Sequence, residues 1–293
     1  MLTGTFTALV TPFRNGQVDY PAFKALIRRQ IAGGVAGVVP VGTTGESPTV
    51  SYEEHIEIIG HAVEYAAGKI HVMAGTGGNS TSEAVYLTER AAQAGANSTL
   101  QVAPYYNKPT QEGLFRHFLE VSKATKLPTI LYSIPSRCGV EISVETTRRL
   151  ALASPRFVGI KEAGGSTERV TLLRAALGKR FSILCGDDGL TLPFMALGAN
   201  GVISVASNLI PRAVAQLVAA CARGNFAAAL KLHDQYHPLF KDLFIETNPG
   251  PIKAALALTG QIAEEYRLPM APLSDKNRET LRAALQKFGL LKS

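Results

Sequence analysis

The sequence of 293 residues predicts a (β/α)8 barrel followed by a helical extension. Two observations lead to this fold class. Eight short apolar runs alternate with segments of helical periodicity, at intervals close to the roughly 30 residues that each unit of such a barrel takes. The runs are apolar almost throughout, as in parallel strands covered on both faces. A doubly wound open sheet is the rival architecture, but eight consecutive βα units favour closure.

The predicted elements follow one another regularly along the chain. The strand runs are TFTALVTP, GVVPVGTTG, IHVMAGTGG, STLQVAPYY, TILYSIPSR, FVGIKEAGG, FSILCGDDG and GVISVASN. Segments such as SYEEHIEIIGHAVEYAA and TSEAVYLTERAAQA carry apolar residues at helical spacing. Beyond the eighth strand and its helix, NFAAALKLHDQYHPLFKDLF, GPIKAALALTG and SDKNRETLRAALQKFGLL predict an appended bundle. We therefore divide the chain into a barrel over residues 1–224 and a C-terminal helical bundle over residues 225–293.

Composition excludes several classes of function. Hydrophobic residues make up 46% and charged residues 18% of the chain, which predicts a large core. The net charge of +7 is spread without a basic run or a nucleic-acid module, so anionic small substrates suit it better than nucleic acid. Three distant cysteines indicate a reducing compartment. We see no signal-peptide pattern and no membrane-spanning run, so we expect a cytoplasmic protein.

The active site of such a barrel lies at the C-terminal ends of its strands, and one lysine is found there. The predicted ends carry Thr43, Thr44, Thr76, Tyr105, Tyr106, Tyr132, Lys161, Gly186, Asp187 and Ile203. Lys161 has three ordinary uses: binding an anion, pairing with Glu162 or Asp187, or forming a Schiff base with a carbonyl. Gly159, two residues earlier on the same face, is expected to leave room for the lysine.

A tyrosine on the preceding strand favours the Schiff base. Tyr132 ends that strand, and neighbouring strands lie about 4.8 Å apart, so its phenol is expected close to Lys161. A Schiff base must lose water, and its enamine must exchange a proton with a second substrate. Tyr132 can serve both steps if another hydroxyl relays its proton, and Thr43 and Tyr106 offer hydroxyls.

Two further features suit anionic groups. GTTGES, residues 42–47, supplies successive backbone N–H groups and hydroxyls, although a plain turn with a helix cap has the same sequence. Arg137 in IPSRCG is suited to clamp a carboxylate, although a surface arginine would look the same. His233 and His237 in HDQYH lack the glutamate of a zinc motif, and GTGGNS does not fit a dinucleotide fingerprint. We expect no metal and no organic cofactor.

Several motifs together closely resemble the dihydrodipicolinate synthase family, the pyruvate-dependent members of the N-acetylneuraminate lyase group of class I aldolases. They are VGTTGES, PYYNKPTQEGL, ILYSIPSRCG, GIKEA and GVISV, and the similarity extends from GTFTALVTPF to RLPMAPLSD and LRAALQKFGLL. The sequence departs from the family in two places. Ser133 stands where many synthases have Asn, and EAGGS stands where EATG or DATG is common.

The resemblance implies a role for each candidate residue. Lys161 would be the Schiff-base lysine for pyruvate, Tyr132 the proton-transferring phenol and Thr43 the relay hydroxyl. Tyr106 would be donated across a tight dimer interface of a homotetramer. Thr44, Gly186 and Ile203 would lie at the pyruvate, and Arg137 would bind the carboxylate of aspartate semialdehyde.

The implied reaction condenses pyruvate with L-aspartate-4-semialdehyde to 4-hydroxy-tetrahydrodipicolinate, in lysine and diaminopimelate biosynthesis. A sister aldolase acting on a keto-deoxy sugar acid or N-acetylneuraminate is the alternative, although its members generally lack the arginine of PSRCG. A catalytically silent binding barrel is a further alternative. Lysine inhibition is also implied, at a site formed by Ser47, Pro48, His55, Asn79, Glu83 and Tyr105. Tyr52 departs from the histidine found in some inhibited enzymes.

Overall fold

Eight parallel strands close into a barrel in the computed structural model, which describes residues 1–291. Around the barrel they occur in chain order, and the last strand pairs with the first. The barrel strands are β1 (Gly4–Ala8), β4 (Gly37–Val39), β5 (His71–Gly75), β6 (Ser98–Val102), β7 (Thr129–Ser133), β8 (Phe157–Glu162), β9 (Ser182–Cys185) and β10 (Gly201–Ser204). Seven lie within the predicted runs, and β1 begins one residue before its run, so the predicted fold class is confirmed.

Helices connect the strands and form the outer layer. They are α1 (Tyr20–Gly33), α2 (Tyr52–Ala66), α3 (Thr81–Gln93), α4 (Gln111–Lys123), α5 (Pro135–Cys138), α6 (Val144–Ala153), α7 (Thr167–Leu177), α8 (Thr191–Ala196) and α9 (Pro211–Ala222). Polar caps fix where several begin. In α2, the Ser51 side chain accepts from the Glu54 N–H while the Glu54 carboxylate accepts from the Ser51 N–H, a complete capping box.

The barrel has two apolar layers. Inside it, a small cluster is formed by Phe6, Ala8, Val39, Met73, Leu100, Ile130, Tyr132, Leu184 and Ile203. A larger cluster lies between the strands and the surrounding helices. Strand side chains alternate between the two layers, which is why the strand runs are apolar nearly throughout. Within β8, Ile160 faces the outer cluster and Lys161 points towards the inner one.

Gly159 is required for a different reason from the one its sequence position suggests. A Cβ on this residue would lie 2.7 Å from the backbone oxygen of Ser182 and 2.9 Å from its Cβ. The absent side chain therefore allows β8 and β9 to approach closely, and the expectation that it makes room for Lys161 is wrong.

The strands end earlier than the apolar runs suggest, and a small hairpin was not expected. β2 (Phe13–Arg14) and β3 (Gln17–Val18) form this two-stranded sheet after β1. Tyr105 and Tyr106 follow the end of β6 by three and four residues, and Thr43 follows the end of β4 by four. These candidates therefore lie on the loops after the strands, on the same side of the barrel as predicted.

Three helices follow the barrel, at the three predicted segments. They are α10 (Phe226–Asp242), α11 (Gly250–Leu258) and α12 (Asp275–Lys287). α10 packs on α9, α8 and α12, and α11 contacts α12 and the short helical turn after β10. α9 ends at Ala222 and α10 begins at Phe226. The division of the chain at residue 224 stays a prediction.

Within residues 1–291, no helix is long and apolar enough to cross a membrane.

Candidate active site

A cavity of about 190 Å³ opens among the loops that follow β4, β5, β6 and β7. These are the C-terminal ends of the strands, where the fold class places its active sites. Its lining residues are Val41, Gly42, Thr43, Ser47, Pro48, Gly75, Gly77, Leu100, Val102, Tyr105, Tyr132, Ile134, Arg137 and Cys138. Thr43, Tyr132 and Arg137, predicted from distant parts of the chain, therefore share one cavity.

Residues 42–47, here called the substrate turn, have backbone N–H groups available for an anion. The N–H groups of Gly45 and Ser47 donate to Gly42 O (3.0 and 3.4 Å), and that of Glu46 donates to Thr43 O (3.1 Å). The N–H groups of Thr43 and Thr44 have no acceptor within residues 1–291. Consecutive free N–H groups of this kind are the arrangement that binds anions in other proteins.

Lys161 and Tyr132 lie side by side on neighbouring strands. They are register partners between β7 and β8, and Lys161 Nζ is 4.1 Å from the centroid of the Tyr132 ring. Both residues are buried, with 6% and 5% of their surfaces exposed. Tyr132 is part of the cavity wall, and Lys161, which contacts its ring, is not.

The ion-pair alternative for Lys161 is wrong. Glu162 points to the opposite side of β8, where its carboxylate accepts from Arg169 Nε at 2.7 Å and from the Gly164 N–H at 2.7 Å. Asp187 uses its carboxylate to accept from the Gly189 N–H at 2.8 Å. In the described part of the chain, no carboxylate oxygen lies within 4.0 Å of Lys161 Nζ. A buried lysine without a carboxylate partner is the type of amine that nucleophilic catalysis uses.

Asn248, which the sequence analysis did not single out, joins two of the predicted residues. Its side-chain Nδ2 donates to Thr44 Oγ1 at 3.0 Å, and its backbone oxygen accepts from Arg137 at 3.0 Å. Arg137 lies on the short helix α5 directly after β7 and is exposed. Asn248 is therefore buried between the substrate turn and the arginine expected to bind a carboxylate.

Gly186 and Ile203, also predicted at the substrate, do not line the cavity. Gly186 follows β9, and its N–H donates to the backbone oxygen of Glu162 at 2.8 Å. A Cβ at this position would lie 2.5 Å from the Cβ of Ala163, so only glycine fits beside the end of β8. Ile203 packs in the inner cluster with Tyr132 and forms part of the apolar floor under the lysine.

Residues 1–288 match the sequence profile of the dihydrodipicolinate synthetase family. The chain belongs to this family. A curated relative from Aquifex aeolicus, named 4-hydroxy-tetrahydrodipicolinate synthase, is 49% identical over 99% of both chains. Relatives of this name at 47–49% identity span essentially the full length, so the enzyme is a lyase of the dihydrodipicolinate synthase type.

Two solved structures that are similar to this chain are described with a bound ligand. A chloride-inhibited dihydrodipicolinate synthase from Acinetobacter baumannii, described as complexed with pyruvate, has a TM-score of 0.97 and 41% identity, covering 99% of this chain and 100% of that one. The enzyme from Cyanidioschyzon merolae, described with lysine bound, has a TM-score of 0.96 and 40% identity over 99% of both chains.

Three non-glycine residues on the loops around the cavity have a left-handed backbone conformation, with positive φ. They are Val41 (φ 48°), Glu46 (φ 55°) and Tyr106 (φ 73°). Such conformations cost free energy, are rarest for β-branched residues such as valine, and cluster at functional sites. Tyr106 is also 90% exposed and lies outside the cavity. Within one chain it does not reach the other predicted catalytic residues.

The residues predicted for lysine binding lie beside the same cavity. Ser47, Pro48 and Tyr105 are part of its wall. Burial and the charge of Glu83 raise the pKa of the Tyr105 phenol, which shows that this carboxylate lies nearby. Asn79 accepts from Asn107 through its backbone oxygen at 2.9 Å. His55 is buried, with Nε2 2.7 Å from Gly75 O, and desolvation lowers its pKa to about 4, so it is neutral.

Of the remaining candidates, the two histidines stand apart from the cavity, whereas Cys138 lines it. His233 and His237 pack together on α10 with ring centroids 5.0 Å apart. Among residues 1–291, no three His, Cys, Asp or Glu side chains are grouped so that they could hold a metal ion. Cys138, Cys185 and Cys221 are free and buried. Burial raises the pKa of the Cys138 thiol to about 11, which makes it a poor nucleophile although it lines the cavity.

Proposed function

We propose that Lys161 forms a Schiff base with pyruvate as the first step of the reaction. The observation that carries this proposal is a buried lysine, without a carboxylate partner, against a tyrosine of the cavity wall. The amine adds to the keto carbon of pyruvate, and loss of water gives the imine. Removal of a methyl proton then converts the imine to an enamine, which is a carbon nucleophile.

The reaction of the family is the condensation of pyruvate with L-aspartate-4-semialdehyde to 4-hydroxy-tetrahydrodipicolinate, in lysine and diaminopimelate biosynthesis. The enamine carbon attacks the aldehyde carbon of the second substrate and forms a carbon–carbon bond. The amino group of that substrate then attacks the imine carbon, which closes the ring and releases Lys161. The apolar floor of Ile203 and Leu184 excludes water from the imine during these steps.

Tyr132 is the group proposed to move protons at the imine and the new alkoxide. Its ring lies against Lys161 Nζ, and it shares the cavity wall with Thr43, whose hydroxyl would relay the proton. Tyr106 would extend the relay from a second copy of the chain. Its exposure and its left-handed backbone support this assignment, since a tyrosine held outward in that way presents its hydroxyl to a partner.

The two carboxylates are proposed to bind to different groups of the cavity. The free N–H groups of Thr43 and Thr44 suit the pyruvate carboxylate. Arg137 suits the carboxylate of the semialdehyde, because its guanidinium can form two parallel hydrogen bonds. Gly186 would contribute backbone beside the imine. Arg137 is also the feature that favours the synthase over the sister aldolases for keto-deoxy sugar acids or N-acetylneuraminate.

The active assembly is proposed to be a homotetramer made of two tight dimers, in the cytoplasm. Exposed Tyr106 supports the dimer, and three free, buried cysteines suit a reducing compartment. Sizing of the wild-type protein together with activity tests this. A Tyr106→Phe variant should assemble normally and lose turnover if the hydroxyl completes the relay. A fully active monomer would contradict the interface role and leave the Lys161 chemistry standing.

L-Lysine is the inhibitor proposed for the site beside the cavity. Within residues 1–291, Glu83 forms no ion pair, and its carboxylate, beside the Tyr52 phenol, would pair with the ammonium group of lysine. Tyr105, Asn79 and His55 would hydrogen-bond the other polar groups of lysine, while Ser47 and Pro48 would connect this site to the substrate turn. The description of the Cyanidioschyzon merolae relative supports the proposal.

A side-by-side assay tests the reaction. The purified enzyme is given pyruvate with aspartate semialdehyde in one series, and N-acetylneuraminate or keto-deoxy sugar acids in the other. We expect turnover in the first series and little in the second. Turnover confined to the second series would assign a sister aldolase, and imine formation without turnover in either would assign a binding barrel.

A further inference from the structure

A buried ion pair joins the C-terminal helices to the substrate turn. Lys253 on α11 contacts the carboxylate of Glu46, which lies in the substrate turn 207 residues earlier in the chain. The Lys253 side chain is 0% exposed and that of Glu46 is 1% exposed. Neither residue lines the cavity, and the proposed mechanism uses neither.

Glu46 is held at both carboxylate oxygens by the same part of the chain. Lys253 Nζ binds Oε1, and the backbone N–H of Arg267 donates to Oε2 at 3.3 Å. The backbone of Glu46 has φ 55°, which side-chain-bearing residues rarely adopt. Its N–H donates to Thr43 O, and its own oxygen accepts from Thr49 Oγ1 at 3.1 Å. The side-chain anchor therefore fixes a backbone conformation that continues directly into Thr43.

Aromatic rings surround the buried ammonium group of Lys253 and fix its position. Its Nζ lies 4.3 Å from the centroid of the Phe13 ring and 5.3 Å from that of Tyr266. The Arg267 guanidinium also lies 4.3 Å from the Phe13 centroid and binds Glu54 through two hydrogen bonds of 2.6 Å. A buried ion pair adds less stability than well-packed apolar side chains would, but it specifies direction and distance.

A second contact joins the same C-terminal segment to the substrate turn. Asn248, five residues before Lys253, donates to Thr44 Oγ1 at 3.0 Å. The turn is thus attached at Thr44 and at Glu46 to a segment that begins α11. On the barrel side, Thr11 Oγ1 donates to Gly45 O at 2.7 Å, so residues from both ends of the chain hold the turn.

We propose that the Glu46–Lys253 ion pair positions the substrate turn so that the N–H groups of Thr43 and Thr44 meet the pyruvate carboxylate. The inference rests on the proposed function, because it takes pyruvate as the anion at the turn. Glu46 and Lys253 are positioning residues, and they act through the backbone of the turn. The semialdehyde is affected little, since Arg137 is held by Asn248 and not by the ion pair.

Four variants separate positioning from stability. Glu46→Gln and Lys253→Met each leave one buried partner unpaired, and the double variant Glu46→Gln/Lys253→Met removes both charges. Glu46→Asp keeps the charges but shortens the side chain. Leu281→Ala is the matched control, because Leu281 is buried on α12 and is outside the turn. For each, Tm, the KM of both substrates and borohydride trapping of pyruvate on Lys161 are measured.

We expect the Tm of each single variant to be lower than that of the wild type. The Tm of the double variant should be closer to the wild-type value, because this variant leaves no buried charge unpaired. The pyruvate KM should rise about tenfold in the double variant and in Glu46→Asp, the effect of losing about 1.4 kcal/mol of binding. The semialdehyde KM should change little, and saturating pyruvate should restore full trapping. Leu281→Ala should have a lower Tm and wild-type KM values for both substrates.

A wild-type pyruvate KM in the double variant or in Glu46→Asp would overturn the inference. So would equal increases in both KM values, which would indicate general loosening of the site. If the single and double variants fail to fold, Glu46→Asp alone decides. The wild-type enzyme is trapped in the same series, and a wild type that forms no adduct at Lys161 would instead overturn the proposed function.

Discussion

Tyr132 and Lys161 are register partners on adjacent barrel strands, with the lysine nitrogen 4.1 Å from the centroid of the tyrosine ring. The two side chains share the inside of the barrel because strand side chains alternate and both residues fall on the inner face. Tyr132 is also part of the wall of the cavity. The pair places a proton carrier next to a nucleophile.

Removing the hydroxyl of the relay should slow turnover without unfolding the protein. Tyr132→Phe and Thr43→Val should each reduce kcat by about 10²-fold, the usual scale of general acid–base catalysis. Both variants retain most of the buried surface, so their Tm values should stay close to that of the wild type. Tyr65→Phe, which removes a hydroxyl on half-buried α2 surface, is the matched control and should keep full turnover. Wild-type kcat in Tyr132→Phe would contradict its role.

Arg137 should distinguish the two substrates. A hydrogen bond between charged groups contributes about 1.5–3 kcal/mol, so Arg137→Ala should raise the apparent KM of aspartate semialdehyde by about 10- to 100-fold. The pyruvate KM should change much less. Steady-state kinetics with each substrate varied in turn measures both values. Arg148→Ala removes an exposed arginine from α6 and serves as the control. Equal effects on both substrates would show that Arg137 is structural.

Lysine inhibition should depend on Glu83. Millimolar or lower L-lysine is expected to reduce wild-type activity without preventing borohydride trapping at Lys161. Glu83→Thr should abolish this inhibition, because it removes the carboxylate that pairs with the ammonium group. Glu89→Thr changes an exposed glutamate on the same helix and should leave inhibition intact. Activity unaffected by saturating lysine would mean that these residues only pack beside the cavity.

Two buried histidines should make a contribution to stability that is lost as pH falls. Desolvation lowers the pKa of His55 and of His117 to about 4. His117 also has an Nε2 atom without a partner, so protonation there would bury an unpaired N–H. In the unfolded chain a histidine has a pKa near 6.5. The contribution of each histidine to the free energy of unfolding is therefore complete above pH 6.5 and is lost as pH falls towards 4.

The effect of His117 can be isolated by denaturant unfolding. Between pH 7 and pH 5, its contribution to the free energy of unfolding should fall by about 2 kcal/mol. His117→Gln cannot titrate, so its stability should decline less over this interval by that amount. Comparing the two proteins at pH 8, above the titration range, gives the packing loss alone. Identical pH dependence in both would show that the His117 pKa is not lowered in the folded protein.

The sequence predicted the barrel, and it singled out several residues that line the cavity, because their signals are local. Each strand is a short apolar run, and Lys161 and Tyr132 each end such a run, so their proximity follows from strand order. The interior packing was less predictable. Gly159 was assigned to the wrong neighbour, because the close approach of Ser182 depends on how β8 and β9 pair.

The contributions of the C-terminal segment could not be predicted from local pattern. Asn248 contacts Thr44 across 204 residues, and Lys253 contacts Glu46 across 207. The available signal was a lysine inside the apolar segment GPIKAALALTG, which is unusual because a fully buried lysine needs a partner. The sequence does not reveal which acidic residue supplies that partner, since the answer depends on how α11 folds back onto the barrel.

The central claim is the covalent step at Lys161, and trapping the imine tests it most directly. The wild-type enzyme is incubated with pyruvate and borohydride, and the modified peptide is identified by mass spectrometry. We expect one reduced pyruvyl group, on Lys161, and irreversible loss of activity. Lys161→Arg should give no adduct and almost no turnover, because its guanidinium stays protonated and cannot form the imine. No adduct, or an adduct on another lysine in an enzyme that still turns over, would contradict the mechanism.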